Sequence, residues 1–237
     1  MTGARPAAHR FFVEDERLAP EQCRQIALVL RLGPGEVVTL VQDGLELDYR
    51  LERVAPAEVT GTVVARRPAA NEPRVALTLA LPLLRGDRDE EVIEAVAQLG
   101  VTTIAPFTSA RSVARGLSPA KRERWQRIAG EAAETSRRGR VPAVLEPREW
   151  PALLAALPRP VVIPWEEERE RRLEPALGGA AALSLVIGPE GGLARDEIAL
   201  ARDRADAVTV TLGPRNLRSE TAAVAAVARA LAALEVS

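Results

Sequence analysis

Four side-chain types are nearly missing from this 237-residue chain: it holds one histidine (His9), one cysteine (Cys23), one methionine and one lysine (Lys121). A structural zinc centre needs about four Cys, His or carboxylate ligands, so no metal is expected. A lone cysteine cannot build a disulfide framework, which fits a reducing compartment. Ser–His or Cys–His catalysis would have to run through His9, close to the chain end. Lys121 follows Pro119 and Ala120 rather than a glycine-rich loop, so a P-loop is excluded. Aromatic residues make up only 3%, which leaves no stacking platform for single-stranded nucleic acid. No run approaches about 18 apolar residues and no leader-like segment stands out, so a soluble cytoplasmic protein without a membrane partner is expected.

What is present is ordinary for a globular protein: 47% hydrophobic and 27% charged residues. The length suits one large domain or two small ones. The 32 basic and 33 acidic side chains leave a net charge of −1, so no basic field covers the whole molecule. Charge is uneven, however. Between Arg111 and Arg140 stand nine basic residues, Arg115 among them, against three acids. That local excess predicts either a phosphate-binding patch or a solvated basic helix face.

Patterning divides the chain near residue 72. The N-terminal part, 1–72, reads as a small β-rich unit. Strands are expected at 10–13, 36–42, 45–54 and 59–67, with a helix over 20–31 and a hairpin at Asp43-Gly44. A linker follows at 68–73. From residue 73 to 237, strands and helices alternate. Strands are expected at 75–83, 101–105, 160–165, 184–188 and 207–212, and helices at 87–99, 119–138, 150–157, 194–204 and 219–234. Such alternation predicts an α/β domain with a mostly parallel sheet.

Two late loops follow apolar strands, at the sheet edge where open α/β folds gather ligands. The first is Ile187-Gly188-Pro189-Glu190-Gly191-Gly192. Its glycines let backbone approach a ligand closely. The second, Leu212-Gly213-Pro214-Arg215-Asn216-Leu217-Arg218-Ser219-Glu220-Thr221, packs two arginines, a glutamate and two hydroxyls into a turn that opens a helix. Either loop alone is a weak signal.

The ordered pair resembles the RsmE-type 16S ribosomal RNA uridine methyltransferases of the SPOUT superfamily. Other segments share the resemblance along nearly the whole chain: Arg10-Phe11-Phe12-Val13, Val29-Leu30-Arg31, Leu99-Gly100-Val101, Arg111-Ser112-Val113, and Glu131 to Glu134 with Arg138. The resemblance implies a PUA-like N-terminal β-barrel over 1–72. Over 73–237 it implies a SPOUT α/β domain with a deep trefoil knot. It further implies a homodimer, S-adenosyl-L-methionine as methyl donor, and methylation of ring nitrogen 3 of a uridine in 16S rRNA, as free RNA or in the small ribosomal subunit.

By the same resemblance, Ile187, Gly188, Pro189, Glu190, Gly191, Gly192, Leu212 and Gly213 would hold the donor, and Leu217 would pack on its adenine. Arg218, Glu220 and Thr221 would face its methionine end or the uridine. Methyl transfer from a sulfonium is an in-line displacement that depends on positioning. The uridine imide proton must leave, which makes Glu220 a candidate base and Arg218 a candidate anion stabiliser. Arg10, Arg31, Arg111 and Arg138 are the expected RNA contacts. Ala95, Gln98, Thr135 and Ala194 depart from the family's usual Lys, Glu, Gln and Ser. Ala95 and Gln98 keep a non-catalytic RNA-binding SPOUT protein as an alternative, and a related enzyme acting on another rRNA or a tRNA site is a second. A dinucleotide-binding oxidoreductase is disfavoured, because no Gly-x-Gly-x-x-Gly follows an early strand.

Overall fold

The computed structural model describes residues 9–112 and 116–235. It divides into two compact units, one formed by residues 1–72 with 133–141 and the other by 73–132 with 142–237.

In the first unit, strands β1 (Arg10–Phe12), β2 (Val37–Gln42), β3 (Leu45–Ala55) and β4 (Glu58–Pro68) form a four-stranded sheet in sequence order. β1 runs parallel to β2, and the other pairs are antiparallel. Asp43 and Gly44 both take positive φ (50° and 77°), the signature of a hairpin turn that matches strand twist. Gly61 sits against β3 so closely that a Cβ would stand 2.1 Å from the Arg50 carbonyl oxygen. Phe11, Ile26, Leu40, Leu47 and Leu51 are fully buried between this sheet and the segment after residue 19.

That segment departs from expectation. The predicted helix over 20–31 is helix α1 (Pro20–Arg24) followed by one wider π turn, Gln25–Val29. Leu30 N–H reaches back five residues to Gln25 O at 2.9 Å, and Arg31, at φ 52°, ends the helix. Cys23, Ile26, Ala27 and Leu30 still make up its inward face, and Leu28 and Val29 on the other side are 58% and 73% exposed.

The second unit carries the predicted parallel sheet. Its strands are β5 (Ala76–Pro82), β6 (Thr103–Thr108), β7 (Ala143–Val144), β8 (Arg148–Glu149), β9 (Val161–Pro164), β10 (Ala182–Val186) and β11 (Val208–Val210). The order is β11-β9-β10-β5-β6-β7, with β8 also on β6, and every pair is parallel. Helices α2 (Arg88–Leu99), α3 (Pro119–Thr135), α5 (Leu173–Ala176) and α7 (Ser219–Glu235) contribute to one core with Leu77, Leu79 and Leu81 of β5. Helices α4 (Trp150–Ala156) and α6 (Arg195–Ala205) contribute to the other with Ala80, Val161 and Val186. Period-2 alternation along β5 thus feeds two cores, which is why it reads as a continuous apolar run.

β6 begins two residues later than expected. Gly100, at φ 120°, closes α2, and Val101 N–H returns to Val96 O at 3.1 Å, the Schellman arrangement. Val101 is therefore buried as part of a helix cap rather than a strand. The elements that periodicity missed are β7, β8 and α5, at two to four residues too short to show a period. Among the described residues, no helix is long and apolar enough to cross a membrane.

Candidate active site

Four strands of the second unit end at one edge, and the segments after them enclose a cavity of about 660 Å³. The segments after β5, β9, β10 and β11 all contribute. Sheet order explains the convergence. β5 proceeds to β6 on one side, while β10 and β11 lie on the other, so the edge holds a reversal of strand order. A larger concavity of about 830 Å³, bounded by Phe12, Arg17 and Arg140, lies in the first unit. Size alone does not select the site; the convergence of parallel strand ends does.

The first glycine loop leaves β10 when Ile187 N–H donates to Ala80 O at 3.1 Å. Gly192 N–H donates to Pro189 O at 2.8 Å, closing a turn. Gly192 has φ +69°, and a Cβ there would stand 2.1 Å from Glu166 Oε1. Arg111 donates to Gly191 O at 2.9 Å. Trp165 Nε1 donates to Leu193 O at 3.3 Å, fastening the loop's far end. Its main chain is therefore held from several sides.

The second loop is tied at both ends. The Thr211 hydroxyl accepts from Gly213 N–H at 3.1 Å. Ser219 Oγ donates to Gly188 O at 2.8 Å and joins the two loops directly. Between these anchors Arg215, Asn216, Leu217 and Arg218 are exposed. Gly213 has φ +128° with open space where a Cβ would stand.

The cavity wall is charged. Glu220 is only partly exposed; its Oε1 lies 3.9 Å from Arg88, while its Oε2 is buried with no hydrogen-bond partner. The main-chain N–H of Arg85 donates to Glu190 Oε1 at 3.1 Å. Glu168 accepts from the N–H groups of Arg169, Glu170 and Arg171 at 3.0–3.2 Å, and from the Thr209 hydroxyl at 2.9 Å. Those backbone donors, with Thr209 in support, hold its carboxyl down at about 2 against an ordinary 4.5.

The structure brings together Ile187, Gly188, Pro189, Glu190, Gly191, Gly192, Leu212, Gly213, Leu217, Arg218 and Glu220 around one cavity. Thr221 is exposed and is not among the lining residues. It is the next residue after Glu220 on α7, and the rotation of about 100° per helical residue turns it away from the cavity. Arg88, Glu168 and Arg169 line the cavity without having been singled out. Arg88 lies some hundred residues from the glycine loops; the available signal was its place just after a parallel strand.

The expected RNA contacts separate. Arg31 and Arg111 are exposed. Arg10 and Arg138 are interior residues of the first unit instead. The Arg10 side chain is 8% exposed and paired with Glu46. Arg138 is 2% exposed and holds Glu72 at 2.8 Å. The basic excess between 111 and 140 is largely neutralised too. Lys121 faces Asp89, Arg122 faces Glu146 and Arg124 faces Glu90. Counting along a window cannot see acids that folding brings in from outside it. Arg115 and Val113 lie outside the described residues. At Ala194, the missing cap hydroxyl is offset in part by Glu197, whose carboxylate accepts the Ala194 and Ala110 N–H groups at 2.9 and 2.8 Å.

Comparison with known proteins fits this arrangement. Residues 71–231 match the model of the RNA methyltransferase domain family. Ribosomal RNA small subunit methyltransferase E of Bacillus subtilis is 33% identical over 215 residues, 85% of this chain and 84% of that protein. The chain belongs to the ribosomal RNA small subunit methyltransferase E family. The Mycobacterium bovis member is 35% identical, covering 84% of this chain and 79% of its own. A crystal structure of the Neisseria gonorrhoeae member, bound to S-adenosyl methionine, superposes with a TM-score of 0.82 at 29% identity over 93% of this chain and 95% of that one. The family match over residues 71–231 spans both glycine loops.

Proposed function

We propose that the cavity is the methyl-donor and uridine site of a 16S rRNA (uracil-N3)-methyltransferase using S-adenosyl-L-methionine. The single observation that carries the reading is the junction of the two glycine loops through Ser219 and Gly188, with the unpartnered Glu220 oxygen buried in the same cavity. The residues suit such a donor. A volume of about 660 Å³ is within the range of cofactor sites. Main chain at Gly188 to Gly192 is held in place, and exposed Leu217 offers an apolar face for a nucleobase. When bound, S-adenosyl-L-methionine supplies an electrophilic methyl group on a sulfonium.

The chain's own work is then positioning and proton handling. The backbone of Ile187 to Gly192, with Leu212 and Gly213, orients the adenosine end. Glu190 and Glu166 offer carboxylates to hydroxyl or ammonium donors. Glu220 Oε2, desolvated and without a donor of its own, accepts the imide proton of the uridine. Arg218, exposed and without an ion pair among the described residues, neutralises the charge left on the uracil.

RNA contacts are assigned to exposed arginines: Arg31 on the first unit, and Arg111, Arg215 and Arg218 near the cavity. The resemblance further assigns closure of the first unit's sheet into a PUA-like barrel, a trefoil knot around the two late loops, and a homodimer. Half-buried Val224, Ala225 and Ala228 on α7 support a second copy packing there. Titration of pure protein with S-adenosyl-L-methionine, followed by transfer to unmethylated small subunits with mass mapping of the rRNA, tests the reading. Uptake and methylation at uracil N3 are expected; a folded protein that takes up no donor, with or without RNA, ends it.

A further inference from the structure

The turn between β5 and α2 reaches the cavity twice, through Arg85 N–H on Glu190 and through Arg88 near Glu220. Beneath it lies a carboxylate that the reaction does not use. Asp89 is 1% exposed. Its Oδ1 accepts from Leu84 N–H at 2.8 Å, and its Oδ2 lies 3.3 Å from Lys121 Nζ. The same ammonium donates to Gly86 O at 3.4 Å and stands 5.4 Å over the Trp125 ring. One carboxylate and one ammonium therefore tie the start and middle of the turn to α2 and α3.

Burial pushes the Asp89 carboxyl up; the Leu84 N–H and Lys121 oppose this, and the nearby charge of Glu190 adds to it. Asp89 is buried while the Lys121 side chain is 34% exposed. A carboxylate taken out of water is costly unless it is paired and hydrogen-bonded, and this one commits its two oxygens to the turn that reaches the cavity and to Lys121. Composition points the same way. The chain carries 31 arginines, and its one lysine stands here. A compact ammonium reaches a carbonyl and a carboxylate at once from beneath a turn, where a planar guanidinium fork needs more room.

We propose that Asp89, held by Lys121, is a positioning residue for the methyl-donor cavity: it sets the 84–88 turn so that the Arg85 N–H fixes Glu190 and Arg88 stands beside Glu220. The inference rests on reading the cavity as the S-adenosyl-L-methionine site.

The test is calorimetric titration of the full-length protein with S-adenosyl-L-methionine, with thermal melts to verify folding. Asp89→Ala is expected to weaken donor binding about tenfold, the equivalent of 1.4 kcal/mol, with a cooperative melt retained. Asp89→Asn keeps an acceptor for Leu84 N–H but loses the charge that Lys121 faces, and is expected to fall between the parent protein and Asp89→Ala; an Asn variant as weak as Asp89→Ala assigns the brace to the charge pair rather than to the Leu84 bond. Glu190→Ala weakens binding by itself, and Asp89→Ala adds nothing further in that background, because the two act along one path. Donor affinity unchanged in folded Asp89→Ala, or losses that multiply in the double variant, overturns the proposal. Should Asp89→Ala not fold, Lys121→Arg decides. A loss of about threefold or more supports the brace, and parental affinity overturns it. If the unaltered protein takes up no donor, it is the cavity reading that fails, and the brace loses its object with it.

Discussion

The two glycine loops share a cavity but are built differently. In the loop from Gly188 to Gly192, a Cβ would stand 3.2 Å from Arg111 Cβ at Gly191 and 2.1 Å from Glu166 Oε1 at Gly192, so two of its glycines are closely backed by neighbouring side chains. The loop from Gly213 to Arg218 is anchored at its ends by Thr211 and Ser219 and exposed between them. On the proposed reading, the first loop is the cradle for a donor that is the same at every turnover, and the second leaves its arginines exposed to a larger and more variable partner. The two demands, holding a small donor and admitting a polymer, are then divided between a braced loop and an open one.

The sharpest break in that comparison is Glu220→Gln. Transfer should fall by about 10²–10⁴-fold, the usual worth of a positioned base, while donor affinity stays within about threefold. Single-turnover transfer and calorimetry separate the two, and full transfer rate would remove Glu220 as the base. Next in size is Gly192→Ala. Positive φ costs a non-glycine residue about 1–2 kcal/mol, and the new methyl also meets Glu166. Donor affinity should fall about tenfold or more, with RNA affinity little altered.

Arg215→Ala is the mirror image and a smaller effect. RNA affinity should drop a few-fold, with the salt slope reduced by about one, and donor affinity should not move. An Arg215→Ala protein that loses donor binding and keeps RNA binding would abolish the division between the loops. The smallest effect concerns Glu168. Its carboxyl is held at about 2 rather than 4.5, so its stabilisation is complete above pH 4.5 and is lost as the pH falls from there towards 2. Melting temperatures of the parent and Glu168→Gln should therefore differ at pH 6 and converge by about pH 2.

Much of this was legible in one dimension. Gly100, Asp43-Gly44 and the apolar run from Val75 to Leu83 announced a helix end, a hairpin and a two-faced strand, because each reports a local backbone demand or a burial period. The glycine loops were legible for the same reason. The basic window from 111 to 140 misled, since Glu72, Asp89, Glu90 and Glu146 neutralise it from other parts of the chain. The burial of Arg10 and Arg138 against Glu46 and Glu72 was equally invisible, as buried arginines have the same letter as exposed ones. The π turn at Gln25–Val29 and the four-residue α5 left no periodic trace.

By itself, the order of residues determined a β-rich segment followed by an α/β segment, and the two late glycine loops. These follow from composition and from interactions among near neighbours. Tertiary structure alone decided that Arg88 stands beside Glu220, that Glu166 faces Gly192, that Thr221 turns away, and that the only lysine meets Gly86 and Asp89 at the turn before α2. Such pairings depend on which strand ends share an edge, and strand order is set by packing across the whole sheet rather than by any local run of residues.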